Sequence, residues 1–424
     1  MKRILVLFLA LPILASACAV EPPEDPSEEN AAAIGEDEGE DDPEPEGIDP
    51  RQGEVGFAAA SKPDLIPGCT ARANAGGTPA WFHFTRPDRP CAGPVGMDTH
   101  VIDELIRLIE SVPKGGRIDA HIYSIKVENV AKALYEAQVQ RDVQVWLSAD
   151  GQVADSKEGF KTKYLDELAH RVYCASPNRR GCISSRAKSI SHTKLFVFSA
   201  AKMPDGTPAQ NVVWLGSANQ TYASGMRATN NTVTFYGDAA LYRRMRGYLG
   251  DLYDRRATDD YYVPASGRGH YLTASADVYA SPEAQTDIVL NRLDDITPDG
   301  GCEIDVQQAS IRDSRLDVVK KLAALKRDGC KVRVVAHTVE PAARKILRDR
   351  DIPIHAKRVH DKVFVVNAII NGQRQMRVYT GSHNLSGGSA HRYDEIFVKL
   401  ASETGATHPI YDTYRRHFTD AFDP

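Results

Sequence analysis

His192 and Lys194 stand two residues apart at the head of the apolar run Leu195 to Phe198. On an extended chain, side chains two apart project from the same face, so an imidazole and an ammonium would lie side by side there. Such a pair suits a phosphate group. The ammonium neutralises oxygen charge, and the imidazole supplies a nucleophile or a proton. A single pair of this kind is ordinarily a solvated strand end, but here the pair recurs as His360 and Lys362 in RVHDKVFVVN.

Each copy is followed by Gly-Ser-x-Asn, as Gly216-Ser217-Ala218-Asn219 and as Gly381-Ser382-His383-Asn384. The interval from His to Asn is 27 residues in the first copy and 24 in the second. Ser217 and Asn219 share one face at a strand end, as do Ser382 and Asn384, and all four can hydrogen-bond phosphate oxygens. Gly216 and Gly381 let the backbone approach a neighbour closely. His383, at the variable position of the second copy, is placed to touch a substrate.

The elements that must carry these residues are also written twice. VIDELIRLIESVP has a helical apolar stripe that Pro113 ends, and RIDAHIYSI reads as a strand. NVAKALYEAQVQRD is a second helix and VQVWLSAD the next strand. Strand, helix and strand in that order predict a parallel pair with a right-handed crossover. From Ala284 the pattern returns: AQTDIVLNRLDDI and SRLDVVKKLAALKRDG as helices, CEIDVQQASI and CKVRVVAH as strands. The chain is an internal duplication. His121 and His337 fall in predicted strands and are expected to be packed or hydrogen-bonded rather than reactive.

The doubled HxK and GSxN elements, with the repeat around them, resemble the phospholipase D superfamily over most of residues 97–424. The resemblance implies an α/β fold of two tandem repeats, two-lobed and pseudo-symmetric, with the active site between the lobes. It divides the chain into a signal peptide (1–17), an acidic linker (18–55), a first repeat (56–270) and a second repeat (271–424). The superfamily pattern continues as HxKxxxxD, but here Ser199 and Asn367 stand at the last position. That Asp supports structure more than chemistry.

The implied reaction needs no metal and no cofactor. Lys194, Lys362, Asn219 and Asn384 would neutralise the phosphoryl oxygens, with Ser217, Ser382 and Glu395 completing the substrate-binding set. One histidine attacks phosphorus; the other protonates the leaving alcohol and then activates water. The superfamily gives the nucleophile's role most often to the first copy, hence His192 as nucleophile and His360 as acid/base. Each imidazole also needs a partner to fix its tautomer. The superfamily places a carboxylate after GSxN, which is Glu395 in the second copy. Asn230 or Asn231 stands there in the first, so the two histidines should differ in basicity.

Composition bounds where this chemistry operates. Lys2 and Arg3 precede the apolar run Ile4 to Leu14 and the small-residue stretch Ala15-Ser16-Ala17, an export-signal pattern. Cys18 follows in LASAC, which resembles a bacterial lipobox, so the expected location is secreted or periplasmic, with Cys18 as a candidate lipid anchor. Residues 21–50 hold fourteen Asp or Glu and no Lys or Arg, a composition that cannot bury enough apolar surface to fold. Without residues 1–50, 50 basic residues face 43 acidic ones, so an anionic partner is plausible. Six cysteines remain after Cys18, an even count that favours disulfides in an exported chain, with neighbours pairing.

A basic stretch, PNRRGCISSRAKS, leads into His192 and suits anionic head groups or a nucleic-acid backbone. Tyr261, Tyr262, Tyr271 and Tyr279 lie where the repeats join and are expected to pack between the lobes. The expected activity is a phospholipase D acting on a phospholipid or membrane surface and releasing phosphatidic acid, with the protein a monomer. A secreted endonuclease with nucleic acid as substrate is the alternative. A non-catalytic binding protein is disfavoured because all eight motif residues are intact.

Overall fold

Near-continuous apolar strands such as KVFVVNAII demand cover on both faces, and both sheets of this protein receive it. The computed structural model describes residues 67–423. The export signal, Cys18 and the acidic linker lie outside the described residues.

The first sheet contains β1 (Thr70–Ala75), β2 (Thr78–Thr85), β3 (Arg117–Ile122), β4 (Gln144–Asp150), β5 (His170–Cys174), β6 (Leu195–Lys202), β7 (Pro208–Gly216) and β8 (Asn230–Phe235). Its order is β1-β2-β8-β7-β6-β3-β4-β5. The second contains β9 (His270–Leu272), β10 (Ala276–Ala280), β11 (Ile296–Thr297), β12 (Glu303–Ile311), β13 (Lys331–Val339), β14 (Ile354–Ala356), β15 (Lys362–Ile370), β16 (Gln373–Gly381) and β17 (Ile396–Leu400). Its order is β9-β10-β17-β16-β15-β12-β13-β14, with β11 pairing β15. Position by position the two orders are the same. The expected parallel pairs are β3 with β4 and β12 with β13.

Side-chain alternation then builds three apolar layers. Leu195, Val197, Val213 and Leu215 of the first sheet share one core with Val363, Val365, Val378 and Ile396 of the second. The intervening residues Phe196, Phe198 and Trp214 face outward into a core with the helices His100–Ser111 and Glu128–Arg141. Phe364, Val366 and Tyr379 do the same with Ile288–Asp294 and Leu316–Arg327. Each fully buried Val, Leu or Phe contributes about 2 kcal/mol, so the shared core binds the halves firmly. Of the four tyrosines expected between the lobes, Tyr261 and Tyr271 join that shared core, whereas Tyr279 and Tyr262 pack in the outer core of the second half.

Three disulfides pair neighbours: Cys69 with Cys91, Cys174 with Cys182 and Cys302 with Cys330. The last ties the starts of the parallel strands β12 and β13 across a separation of 28 residues. Replacing both of these cysteines by Ala should cost about 3 kcal/mol, mainly through the unfolded chain. The denaturant midpoint reads this directly, and an unshifted midpoint would exclude it. Among the described residues no helix is long and apolar enough to cross a membrane.

One local expectation is corrected. His121 is buried and bonded to Ser148 Oγ and the Ser191 carbonyl, but His337 is exposed on β13. Between β4 and His192, β5 extends the first sheet as β14 extends the second.

Candidate active site

Both HxK segments lie at strand entrances, the first just ahead of β6 and the second ending on the first residue of β15. The backbone there is tied to the other half. His192 N–H and Thr193 N–H donate to the Asp394 carbonyl at 2.9 and 3.0 Å, and His360 N–H donates to the Thr229 carbonyl at 2.8 Å. Lys194 Nζ donates to the His192 carbonyl at 2.7 Å and Lys362 Nζ to the His360 carbonyl at 2.8 Å. Tyr123 meets the His192 ring edge-on at 4.6 Å and lies under the Lys194 ammonium at 4.9 Å.

The ring partners are crossed between halves. His192 Nδ1 lies 2.9 and 3.0 Å from the two carboxylate oxygens of Glu395. His360 Nδ1 lies 3.0 Å from Asn230 Oδ1. An ionised carboxylate can only accept, so Nδ1 of His192 carries the proton. The Asn230 amide is oriented by its own donors: Nδ2 donates to the carbonyls of Ser224 (2.7 Å), Ala228 (3.2 Å) and Gly225 (3.3 Å). Its oxygen therefore faces His360, whose Nδ1 is again the donor. With Nδ1 as the donor, Nε2 holds the lone pair in the neutral form of each ring and carries a second proton in the imidazolium form.

Burial pushes the Glu395 carboxyl above its ordinary pKa, opposed by the Lys194 charge and by hydrogen bonds from Ser382 and Ser389. Neither serine of the GSxN pairs points to an open ligand. Ser217 Oγ donates to Asn230 Oδ1 at 3.0 Å and accepts from Asn231 N–H, while Ser382 Oγ accepts from Ile396 N–H at 3.0 Å. They hold the two ring partners, one each. Asn219 Nδ2 donates to Ser224 Oγ at 2.9 Å. The glycines of the motif permit a close approach to a strand rather than to a ligand. A Cβ on Gly216 would sit 2.3 Å from the Asn231 carbonyl, and one on Gly381, at φ +126°, 2.3 Å from that of Ile396.

Two buried carboxylates that motif reasoning missed lie beside this centre. Asp394 accepts from the N–H groups of Cys182, Ile183 and Ser184 at 2.7, 3.0 and 2.6 Å, just after the Cys174–Cys182 disulfide. Burial pushes its carboxyl to about 6 against those donors. Asp361, the central residue of the second HxK, accepts from Thr229 Oγ1, Asn231 Nδ2, Gln307 Nε2 and His417. Burial pushes its carboxyl up, but His417 and the hydrogen bonds outweigh that and hold it at about 2. Their signal was adjacency alone, in HDK and in YDE. Among the described residues no group of three His, Cys, Asp or Glu side chains is arranged to hold a metal ion.

Several solved structures align with this chain. A polyphosphate kinase from Porphyromonas gingivalis aligns with 80% of this chain at 12% identity and TM-score 0.48. The chain spans about half of that protein, 49% of its length. A phosphatidylserine synthase from Haemophilus influenzae Rd KW20 aligns with 79% of this chain and 84% of its own, at 11% identity and TM-score 0.48. Nuc from Salmonella typhimurium, a phospholipase D family member, aligns with 35% of this chain and 94% of its own, at 22% identity and TM-score 0.28. No family model matches the sequence, and no curated protein is similar to it. The chain resembles the phospholipase D family. Its departure from the phospholipase D pattern HxKxxxxD is accommodated locally: Ser199 Oγ accepts from Arg117 N–H at 2.9 Å, and Asn367 Oδ1 accepts from Arg374 at 3.3 Å.

Proposed function

We propose that the protein is an exported phosphodiesterase, a phospholipase D that hydrolyses phospholipids to phosphatidic acid and a free alcohol. The observation that supports it most is the crossed pairing of two imidazoles through Nδ1, which directs two Nε2 atoms to reaction. Two such atoms match the two demands of a double displacement, a nucleophile and an acid/base.

In this reading His192 Nε2 forms a bond to phosphorus while the bond from phosphorus to the head-group oxygen breaks. Positive charge that builds on the His192 ring is balanced by Glu395, which favours His192 over His360 as the nucleophile. His360, protonated at the outset, gives its Nε2 proton to the departing oxygen. Water then attacks phosphorus, His360 takes up the proton, and the nitrogen–phosphorus bond breaks. Lys194, Lys362, Asn219 and Asn384 offset charge on the phosphoryl oxygens.

Export is supported by the leader sequence and by three disulfides, which persist in oxidising compartments. We infer cleavage near Ala17 and a monomer, with lipid attachment at Cys18 read out as an added diacyl mass on the mature chain.

The deciding experiment offers vesicles and DNA to the same preparation, with ethanol in the vesicle arm. A phospholipase D should release phosphatidic acid and also form phosphatidylethanol, because a small alcohol can replace water at the second step. Untouched vesicles beside degraded DNA, with cleavage falling steeply in salt, would assign the site to nucleic acid instead.

A further inference from the structure

The two halves match in register but differ in chemistry around the second lysine. Gln308 lies directly opposite Lys362 on β12; the matched residue of the first half is Ile122, next to His121, which pairs with Leu195 as Gln307 pairs with Val363. His383 corresponds in the same way to Ala218 within GSxN. Ile122 and Ala218 are buried and apolar, as their surroundings require; Gln308 and His383 are buried and polar. Leu385 N–H donates to the Ser310 carbonyl at 3.1 Å and Leu385 pairs with Ile311, so the segment from Ser382 to Asn384 crosses toward the end of β12. Gln308, paired with Lys362, and Ser310, two residues on, share one face of β12, and His383 and Asn384 lie on the segment that reaches the end of that strand.

These groups are unsatisfied within the protein. Among the described residues neither amide atom of Gln308 has a hydrogen-bond partner, nor do Ser310 Oγ and Asn384 Oδ1. The His383 ring approaches the Asn384 carbonyl without a well-directed bond from either nitrogen. Burial lowers its pKa to about 4, so the ring is neutral and offers one donor and one acceptor. The neighbouring Arg315 guanidinium is ion-paired with Asp287 through two Nη2 contacts of 2.8 Å, while among the described residues its Nε and Nη1 have no hydrogen-bond partner. The wall is thus rich in donors and acceptors and adds little net charge. Buried polar groups without partners are rare in native proteins and call for an explanation.

We propose that Gln308, Ser310, His383 and Asn384 form a recognition wall for a neutral, hydroxyl-bearing alcohol, the head group that leaves and the acceptor that replaces it. This rests on the phospholipase D reading. Vicinal hydroxyls donate and accept, and so match an amide, a hydroxyl and a neutral imidazole. A trimethylammonium group does neither and would leave all of them unmatched. Glycerol-type head groups are therefore taken in preference to choline.

The test measures kcat/KM on vesicles of phosphatidylglycerol and of phosphatidylcholine. The protein should favour phosphatidylglycerol by about tenfold or more, since a site built to hydrogen-bond hydroxyls discriminates strongly against a group lacking them. Gln308→Ile with His383→Ala installs the residues of the first half at the matched positions, and the ratio should fall toward one. Equal cleavage of both lipids by the unaltered protein, or an unchanged ratio in the variant, overturns the proposal. Should the variant fail to fold, acceptor competition in the unaltered protein decides: glycerol should outcompete ethanol at equal concentration, and the reverse order overturns it. Cleavage of neither lipid would remove the phospholipase reading itself, and the proposal with it.

Discussion

His192→Ala and His360→Ala should each lower kcat by three orders of magnitude or more, equivalent to about 4 kcal/mol of lost transition-state stabilisation. The two losses should be distinguishable. With a 4-nitrophenyl diester, departure of the leaving group needs no proton, so His360→Ala should still form the covalent adduct and stall before hydrolysis. Intact-mass measurement at neutral pH should then find the adduct on His360→Ala and none on His192→Ala. The opposite pattern would exchange the two roles. Retained turnover in either variant would remove the double-displacement mechanism.

Glu395→Gln should come next in size. The exchange keeps shape but removes the charge facing the His192 ring and offers an amide that can turn a donor toward Nδ1. By analogy with other histidine–carboxylate pairs the loss in kcat is about a hundredfold to ten-thousandfold, with KM little changed. Asn230→Asp makes the reciprocal change. A carboxylate opposite His360 favours the imidazolium, so its pKa rises and the acid form persists to higher pH. The basic limb of the kcat/KM profile should therefore move up by about one pH unit. A profile that stays in place, with Asn230→Asp folded, would show that Asn230 does not govern that ring.

The residues that announced the site did so by repetition. His192 with Lys194 said little until His360 with Lys362 restated it, and the helix and strand periods around them carried the fold class. What was hidden depended on contacts between distant segments. Glu395 could be recognised as a ring partner, but nothing in its neighbourhood said that the ring would belong to the other half. Asn230 and Asn231 were indistinguishable in sequence because they are adjacent. In β8 they face opposite ways, Asn230 to His360 and Asn231 to Asp361 and Tyr414. The serines looked like phosphate ligands because a hydroxyl at a strand end is open to any partner, and here the partners are inside the protein. The hairpins β1–β2 and β9–β10 escaped notice since short strands with turns of different length leave no common spacing.

The crossing of partners has a consequence for how the molecule comes into being. Glu395 is 203 residues beyond His192, on the approach to β17, the last strand among the described residues, which the helix Pro409–Phe422 follows. A chain emerging from the ribosome has its first histidine long before the carboxylate that equips it, and the second histidine must wait for Asn230 to be docked from the opposite sheet. Contacts of such long range form late in folding. A truncated or half-assembled copy therefore lacks a ring partner, and both histidines are equipped only once the two sheets have docked.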